Sequence, residues 1–247
     1  MIDFHVHQPA ARGDGRLPYA AEDYARFVGA LGVDLSVTFT FDGLSRPGRA
    51  ANDSLARFVE SDGFVAFATV DPHDPAGPEE VARCVSTHSM RGVKLHPWVQ
   101  GFSPQASGVA AICETAASLS VPVLFHDGTP PWSTPLQIAA LARRHPSTTI
   151  VLGHGGLHDL WREALAAIGT ASNLHICLCA TPKYAMRVLV ERCPTERLLF
   201  GTDGGLAPEP AQRYVALRIR QFEDMVVDPG RRRAIVEDNP RHLLGLA

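Results

Sequence analysis

The sequence predicts an α/β protein, a (β/α)8 TIM barrel with extra helices at its C-terminal end. Three observations carry that reading. Short apolar, β-branched runs begin at Ile2, Leu35, Phe64, Gly92, Val121, Thr149, Asn173 and Arg197, a spacing close to the roughly 30 residues of one βαβ unit. Segments with apolar residues at helical period lie between them. The chain has 247 residues, near the size at which eight such units close into a barrel. A doubly wound open sheet is the structural alternative, but no G-x-G-x-x-G follows the first strand.

Taken in order, the first strand from Ile2 leads to a helix over Ala21–Ala30, and the second from Leu35 to a helix over Arg49–Glu60. The third strand from Phe64 precedes a helix over Pro78–His88, where Pro78 with Glu79 and Glu80 forms a start signal. The fourth, from Gly92, precedes Gln105–Leu119; the fifth, from Val121, precedes Thr134–Arg144, opened by Ser133-Thr134-Pro135. The sixth from Thr149 precedes Asp159–Ile168, and the seventh from Asn173 precedes Lys183–Arg192. After the eighth strand, from Arg197, come a helix around Glu209–Asp224 and a closing one around Gly230–Leu244. No linker, low-complexity tract or strong repeat interrupts this order, so one domain over residues 1–247 is expected.

Composition excludes several classes. With 45% hydrophobic and 20% charged residues, the chain is neither disordered nor fibrous. Its 23 basic and 26 acidic side chains leave a net charge of −3, which argues against a general nucleic-acid binder. No apolar run approaches the roughly 18 residues of a membrane span. Asp3 and His5 interrupt the start, where a secretion signal would carry a basic end and an apolar core. The cysteines (Cys84, Cys113, Cys177, Cys179, Cys193) are odd in number and lack C-x-x-C spacing, which suits reduced thiols. These features lead us to expect a soluble cytoplasmic protein whose partner is a small molecule, with no nucleic acid and no membrane. A homo-oligomer is compatible with all of them.

Barrel enzymes place their chemistry where strands end and βα loops begin. Here His5 and His7 stand two apart on the first strand and so share a face. Lys94 and His96 do the same on the fourth. The fifth strand ends in His126, the sixth in His154 and the eighth in Asp203. A single strand-end histidine is usually a hydrogen-bonded structural residue. Coincidence explains the joint pattern poorly, whereas imidazole nitrogens with one carboxylate suit a zinc-like divalent ion that keeps a position open for water.

These residues resemble the amidohydrolase superfamily. The segment Gly92-Val93-Lys94-Leu95-His96-Pro97-Trp98, the turn His154-Gly155-Gly156 and the ending Asn239-Pro240-Arg241-His242-Leu243-Leu244-Gly245-Leu246 narrow the resemblance. They are similar to the branch of the aminocarboxymuconate-semialdehyde decarboxylase-like metal-dependent hydrolases, over nearly the whole chain. The resemblance implies one divalent metal ion, usually Zn2+, held by His5, His7, His126 and Asp203, with His154 poised over the substrate. Lys94 has two readings. It is a carbamylated bridge between two metals in binuclear relatives, or an unmodified cation that meets a substrate carboxylate or pairs with an acidic neighbour; the mononuclear branch favours the second. A deoxyribonuclease barrel also begins H-x-H, but usually carries a glutamate where this chain has Lys94.

Other residues near the strand ends carry open alternatives. His96 is a substrate contact or a residue that orients one. Trp98 and Trp132 are pocket walls or loop residues packed on helices. Arg12, Arg16, Arg46 and Arg49 lie in the first two βα loops, where each one alone reads as solvated surface and the group as a carboxylate clamp. His175, Cys177 and Cys179 share a face of the seventh strand; the cysteines read as core packing. Gly204-Gly205 reads as an anion cradle or a turn. The resulting expectation is a metal-dependent hydrolase of a small, carboxylated amide, lactone or ester. In it Asp203, ligand and base, takes a proton from metal-bound water, and His154 supports the developing oxyanion or passes the proton to the leaving group. The alternative is a non-oxidative metal-dependent decarboxylase, a lyase, on the same site. A catalytically silent barrel is disfavoured by the intact set of ligands.

Overall fold

The first strand already departs from simple alternation. In the computed structural model, which describes residues 1–206 and 209–246, β1 (Ile2–Gln8) pairs in parallel with β2 (Leu35–Thr40), and the register shifts between Asp3 and Val6. That bulge matters because side chains alternate faces along a strand, and one extra residue switches the face of everything after it. Ile2 and Phe4 pack in the barrel interior with Val37 and Phe39, while Val6 joins the outer core. The bulge lets Phe4 and the His5/His7 pair both point inward, and leaves Asp3 to bond Thr202 instead.

Helix α1 (Ala21–Gly29) links these strands; α2 (Asp42–Ser45) and α3 (Arg49–Phe58) lead to β3 (Phe64–Ala66) and β4 (Ala68–Thr69). The last two are halves of the predicted third strand, broken at Phe67, whose N–H donates to Thr38 while that of Ala68 donates to Gly92 on the other side. The break hands the pairing from one neighbour to the next. The order then runs α4 (Gly77–His88), β5 (Val93–Leu95), α5 (Pro97–Gln100), α6 (Ser107–Ser118), β6 (Val123–Phe125), α7 (Pro135–Arg144) and β7 (Ile150–Leu152). It continues with α8 (Trp161–Ile168), β8 (Leu174–Cys177), α9 (Lys183–Arg192), β9 (Leu198–Leu199), α10 (Glu209–Met225), α11 (Pro229–Arg233) and α12 (Asn239–Leu244). β4 to β9 pair in chain order, all parallel. The ring closes where Phe4 N–H donates to Phe200 and His7 N–H donates to Gly204, both at 2.9 Å. The fold is the predicted (β/α)8 barrel.

Local signals explain several boundaries. Helix α7 opens with the anticipated Thr134 cap, in a capping box with Gln137 and with Pro135 in the first turn. α11 and α12 are joined by a π-helical turn over Ala234–Asp238, so the predicted closing helix is one rod with a bulge. Its Leu244 plugs the bottom of the barrel interior beside Ile2, Phe4, Phe67 and Leu199. The short helices α2 and α5, which the sequence pattern does not predict, lie in the loops after β2 and β5 and pack against each other. Among the described residues no helix is long and apolar enough to cross a membrane.

The closing seam leaves no room for side chains. Gly205 has φ +91°, and a Cβ there would lie 2.0 Å from the carbonyl oxygen of His7. The Gly204-Gly205 pair is therefore a close-approach turn against β1. Gly205→Ala is expected to lower stability by more than about 1 kcal/mol, whereas Gly13→Ala, in open space, should stay within about 0.5 kcal/mol. Urea midpoints of the two variants test this.

Candidate metal centre

The bulge in β1 aims two imidazoles at one carboxylate. His7 Nε2 lies 3.1 Å and His5 Nε2 3.5 Å from Asp203 Oδ1. His5 Nδ1 is 3.1 Å from the carbonyl oxygen of Gly153, a contact that places the proton on Nδ1 and leaves Nε2 as a lone-pair donor facing the site. Asp203 follows β9 in the left-handed region at φ 64°, which a non-glycine residue adopts only at a cost of about 1 kcal/mol or more. Its N–H donates to the carbonyl of His5, and this local turn swings the carboxylate back over β1. Gly201 permits the approach: a Cβ there would sit 2.6 Å from that of His5.

A second group of histidines lies against the first. The ring of His154 is 4.6 Å from that of His5 and 4.4 Å from that of His126. His126 in turn stacks on His96 at 3.8 Å, with 11° between the planes. His96 has a structural task as well, since it caps α5 and its Nδ1 accepts from the Val99 N–H at 3.4 Å. Lys94 is fully buried between these groups, with Nζ 3.4 Å from His5 Nε2 and 4.6 Å from the centre of the Phe39 ring.

Burial sets the charge state. Desolvation pushes the pKa of His5, His7 and His126 down, that of His96 to about 2 and that of His154 to about 3, so all five rings are neutral at pH 7. Neutral imidazole is the form that binds metal ions. Burial alone would raise Asp203, but the His7 hydrogen bond and the nearby His154 and Lys94 hold its carboxyl well below the usual range. Burial draws Lys94 down to about 8, against the pull of Asp203.

Two buried carboxylates that sequence reasoning missed hold this arrangement. Asp127 accepts the N–H groups of His154 and Gly156, each at 2.6 Å, and so shapes the turn that carries His154. Thr181 donates its hydroxyl to the carbonyl of His154 from the other side, at 3.0 Å. Asp3 accepts the Thr202 N–H at 2.9 Å, the Thr202 hydroxyl and the His5 N–H. Burial raises Asp127 to about 6 and Asp3 to about 7. The available signal was position: each is a carboxylate next to, or two residues from, a strand histidine.

The remaining expected residues divide. Trp98 (56% exposed) and Trp132 (40%) sit in the mouth loops, and Trp98 lies 6.2 Å from the ring of His96. Arg12, Arg16, Arg46 and Arg49 are exposed, and Arg49 pairs with Glu80 at 3.7 Å. His175 sits at the opposite end of the barrel, where with Thr170, Arg197 and His242 it lines a surface cavity of about 640 Å3. Cys177 packs in the interior, as expected. Cys179 packs in the same interior cluster and also borders the site. One donor atom each from His5, His154, Cys179 and Asp203 lies within 4.8 Å of the others. Among the described residues, His7 Nδ1, His126 Nε2 and His154 Nδ1 are buried nitrogens with no hydrogen-bond partner. Neutral imidazoles, an ionised carboxylate and these orphan nitrogens fit a divalent metal ion.

A family model described as amidohydrolase matches residues 2–246. The chain belongs to the amidohydrolase family. No curated protein matches it at a significant level. Solved structures do. A 2,6-dihydroxybenzoate decarboxylase from Rhizobium superposes with a TM-score of 0.77 at 20% identity, covering 99% of this chain and 98% of its own. A dihydroxybenzoic acid decarboxylase from Polaromonas, with bound manganese and the inhibitor 2-nitroresorcinol, gives 0.75 at 16% identity over 99% and 96%. A probable 2-pyrone-4,6-dicarboxylic acid hydrolase from Acinetobacter baumannii, with citric acid bound, gives 0.71 at 16% identity over 99% of both chains. At these identities the likeness is one of fold.

In this amidohydrolase-family barrel the buried carboxylate of Asp127 can be tested directly. Asp127→Ala leaves the His154 and Gly156 N–H groups buried without acceptors, at roughly 1–3 kcal/mol each. Asp127→Asn keeps one acceptor and should recover about half of the loss. Thermal unfolding of both variants, beside metal content, is the measurement.

Proposed function

We propose that this chain is a metal-dependent, non-oxidative decarboxylase of a small carboxylic acid. The observation that carries the reading is the pairing of one ionised carboxylate, Asp203, with one buried cation, Lys94, across a ring of neutral histidines. Such a site accepts a small anion and offers several places to hold a proton. The likeness to dihydroxybenzoate decarboxylases over the whole chain supports it, and favours decarboxylation over the hydrolysis expected from sequence. We assign a single divalent ion to His5, His7, His126 and Asp203. Imidazole-rich donors suit zinc better than manganese, which prefers carboxylate and water oxygens.

When bound, the ion supplies positive charge that orients the substrate's oxygen atoms and draws electron density toward them. Lys94, an unmodified cation in this reading, pairs with a substrate oxygen anion at the barrel floor. His154 is neutral and therefore carries one N–H and one lone pair, so it can relay a proton to the carbon that loses its carboxylate. The carbon–carbon bond breaks, its electron pair stays on that carbon, the proton takes the vacated position and carbon dioxide leaves. Asp127 and Thr181 hold the His154 backbone in place for that transfer. Trp98 and Trp132 border the entrance, and His96 keeps the His126 ring stacked and oriented.

Two measurements bear on this reading. Purified protein should hold about one divalent ion per chain, and His5→Ala or Asp203→Ala should lower its affinity more than tenfold, as loss of a direct ligand does. Unchanged stoichiometry and affinity in both variants would sink the centre. For the reaction, 2,6-dihydroxybenzoate, 5-carboxyvanillate and 2-pyrone-4,6-dicarboxylate serve as probes in heavy water and in oxygen-18 water. Decarboxylation releases carbon dioxide and leaves deuterium on the carbon that lost it. Oxygen-18 in a product carboxylate, with no carbon dioxide, would establish the hydrolase instead.

A further inference from the structure

We infer that Cys179 is a ligand of this metal centre, its thiolate joining His5 and Asp203, and that it biases the site toward thiophilic ions such as zinc and cobalt over manganese. The inference rests on the proposed metal centre and adds a donor that the resemblance to the family does not supply.

The group of donors that the described residues bring within 4.8 Å of one another is not the expected one. His5 and Asp203 are common to both sets, but the atoms that lie within 4.8 Å of one another are completed by His154 and Cys179. Donors of one zinc ion, at bonds of about 2.0–2.3 Å to nitrogen, oxygen and sulfur, lie closer together than that, so ligation by Cys179 needs these side chains to rotate toward one another, with His154 left free as the proton relay. Cys179 is fully buried, and its partner in the group, His154, is 2% exposed with a ring nitrogen that has no hydrogen-bond partner.

Position separates Cys179 from Cys177. Cys177 is the last residue of β8, within the barrel interior, and its sulfur lies against the Gly201 position. Cys179 comes two residues later, on the same side of the chain and one step nearer the mouth, where barrel enzymes collect their chemistry. The segment is held there. Arg218 donates to the carbonyl of Leu178 at 3.2 Å, and Ala180 turns the chain away at φ 52°. The Thr181 hydroxyl bonds the carbonyl of His154 at 3.0 Å and lies 3.3 Å from that of Cys179, which ties the two donors to each other. A small apolar residue would fill this volume equally well if packing were the only task. On binding, the S–H bond ionises, the proton leaves to the buffer and a sulfur electron pair is donated to the ion. No redox change is involved.

The test uses the metal-free full-length chain titrated with cobalt(II), then zinc and manganese in competition. Wild type should bind about one cobalt per chain and show a near-ultraviolet thiolate-to-cobalt charge-transfer band. Cys177→Ser should keep the band; Cys179→Ser should lose it and cut the zinc-to-manganese affinity ratio at least tenfold. One bound cobalt without the band in wild type overturns the assignment of Cys179 and leaves the histidine–aspartate centre standing. A band lost in Cys177→Ser and kept in Cys179→Ser also overturns it. Absence of bound cobalt in wild type overturns the centre and this inference together. The wild-type band, retained in Cys177→Ser, decides the matter even if Cys179→Ser fails to fold.

Discussion

The seam between the first and last strands is the contact on which the rest of this molecule depends. It is made by backbone bonds from Phe4 to Phe200, from Asp203 to His5 and from His7 to Gly204. Asp3 adds bonds from its buried carboxylate to both the backbone and the hydroxyl of Thr202. Closing a barrel removes its sheet edges, and here the same closure brings Asp203 onto His5 and His7. The bulge in β1 and the left-handed turn at Asp203 are both local deviations, and both occur at this seam. Each costs conformational energy that the closed ring recovers through burial and hydrogen bonding.

Desolvation decides the chemistry that the seam makes available. Taking five histidines out of water keeps them neutral, and their mutual proximity adds to the effect. The same burial would neutralise Asp203, yet the His7 hydrogen bond and the nearby His154 and Lys94 outweigh it. One anion and one cation therefore sit among uncharged donors, the balance a divalent ion and a small carboxylate need. Asp3 and Asp127 show the opposite outcome. Surrounded by N–H and O–H donors but without a nearby cation strong enough to offset burial, they are drawn up toward neutral pH.

Much of the fold was legible because its signals are local. The capping box at Thr134, the acidic first turn after Pro78 and the apolar runs at βαβ spacing act within a few residues, and the helices and strands formed there. The broken third strand was not legible, because Phe67 reads as one more apolar residue and only the positions of both neighbouring strands force the handover. Helices α2 and α5 were not legible either, being four residues long and packed against each other across two separate loops. Gly204-Gly205 looked like a turn or an anion cradle; the backbone of β1 lying against it decides between them.

For the site, the sequence alone determined which residue types stand at the ends of the strands. His5, His7, Lys94, His96, His126, His154 and Asp203 follow from chain position, since a strand delivers its terminal residues to one rim whatever the details of packing. Which of these side chains meet, and in what state, was decided by tertiary structure. The bulge in β1 turns Asp3 away from the histidine pair, Asp127 becomes the anchor of a turn, and His96 becomes a helix cap. Cys179 looks like Cys177 in sequence, two apolar thiols on one strand face. Both pack in the barrel interior, and only the closed barrel also sets Cys179 beside His5 and Asp203, because distances between residues far apart in the chain are fixed by ring closure and packing, and no local pattern encodes them.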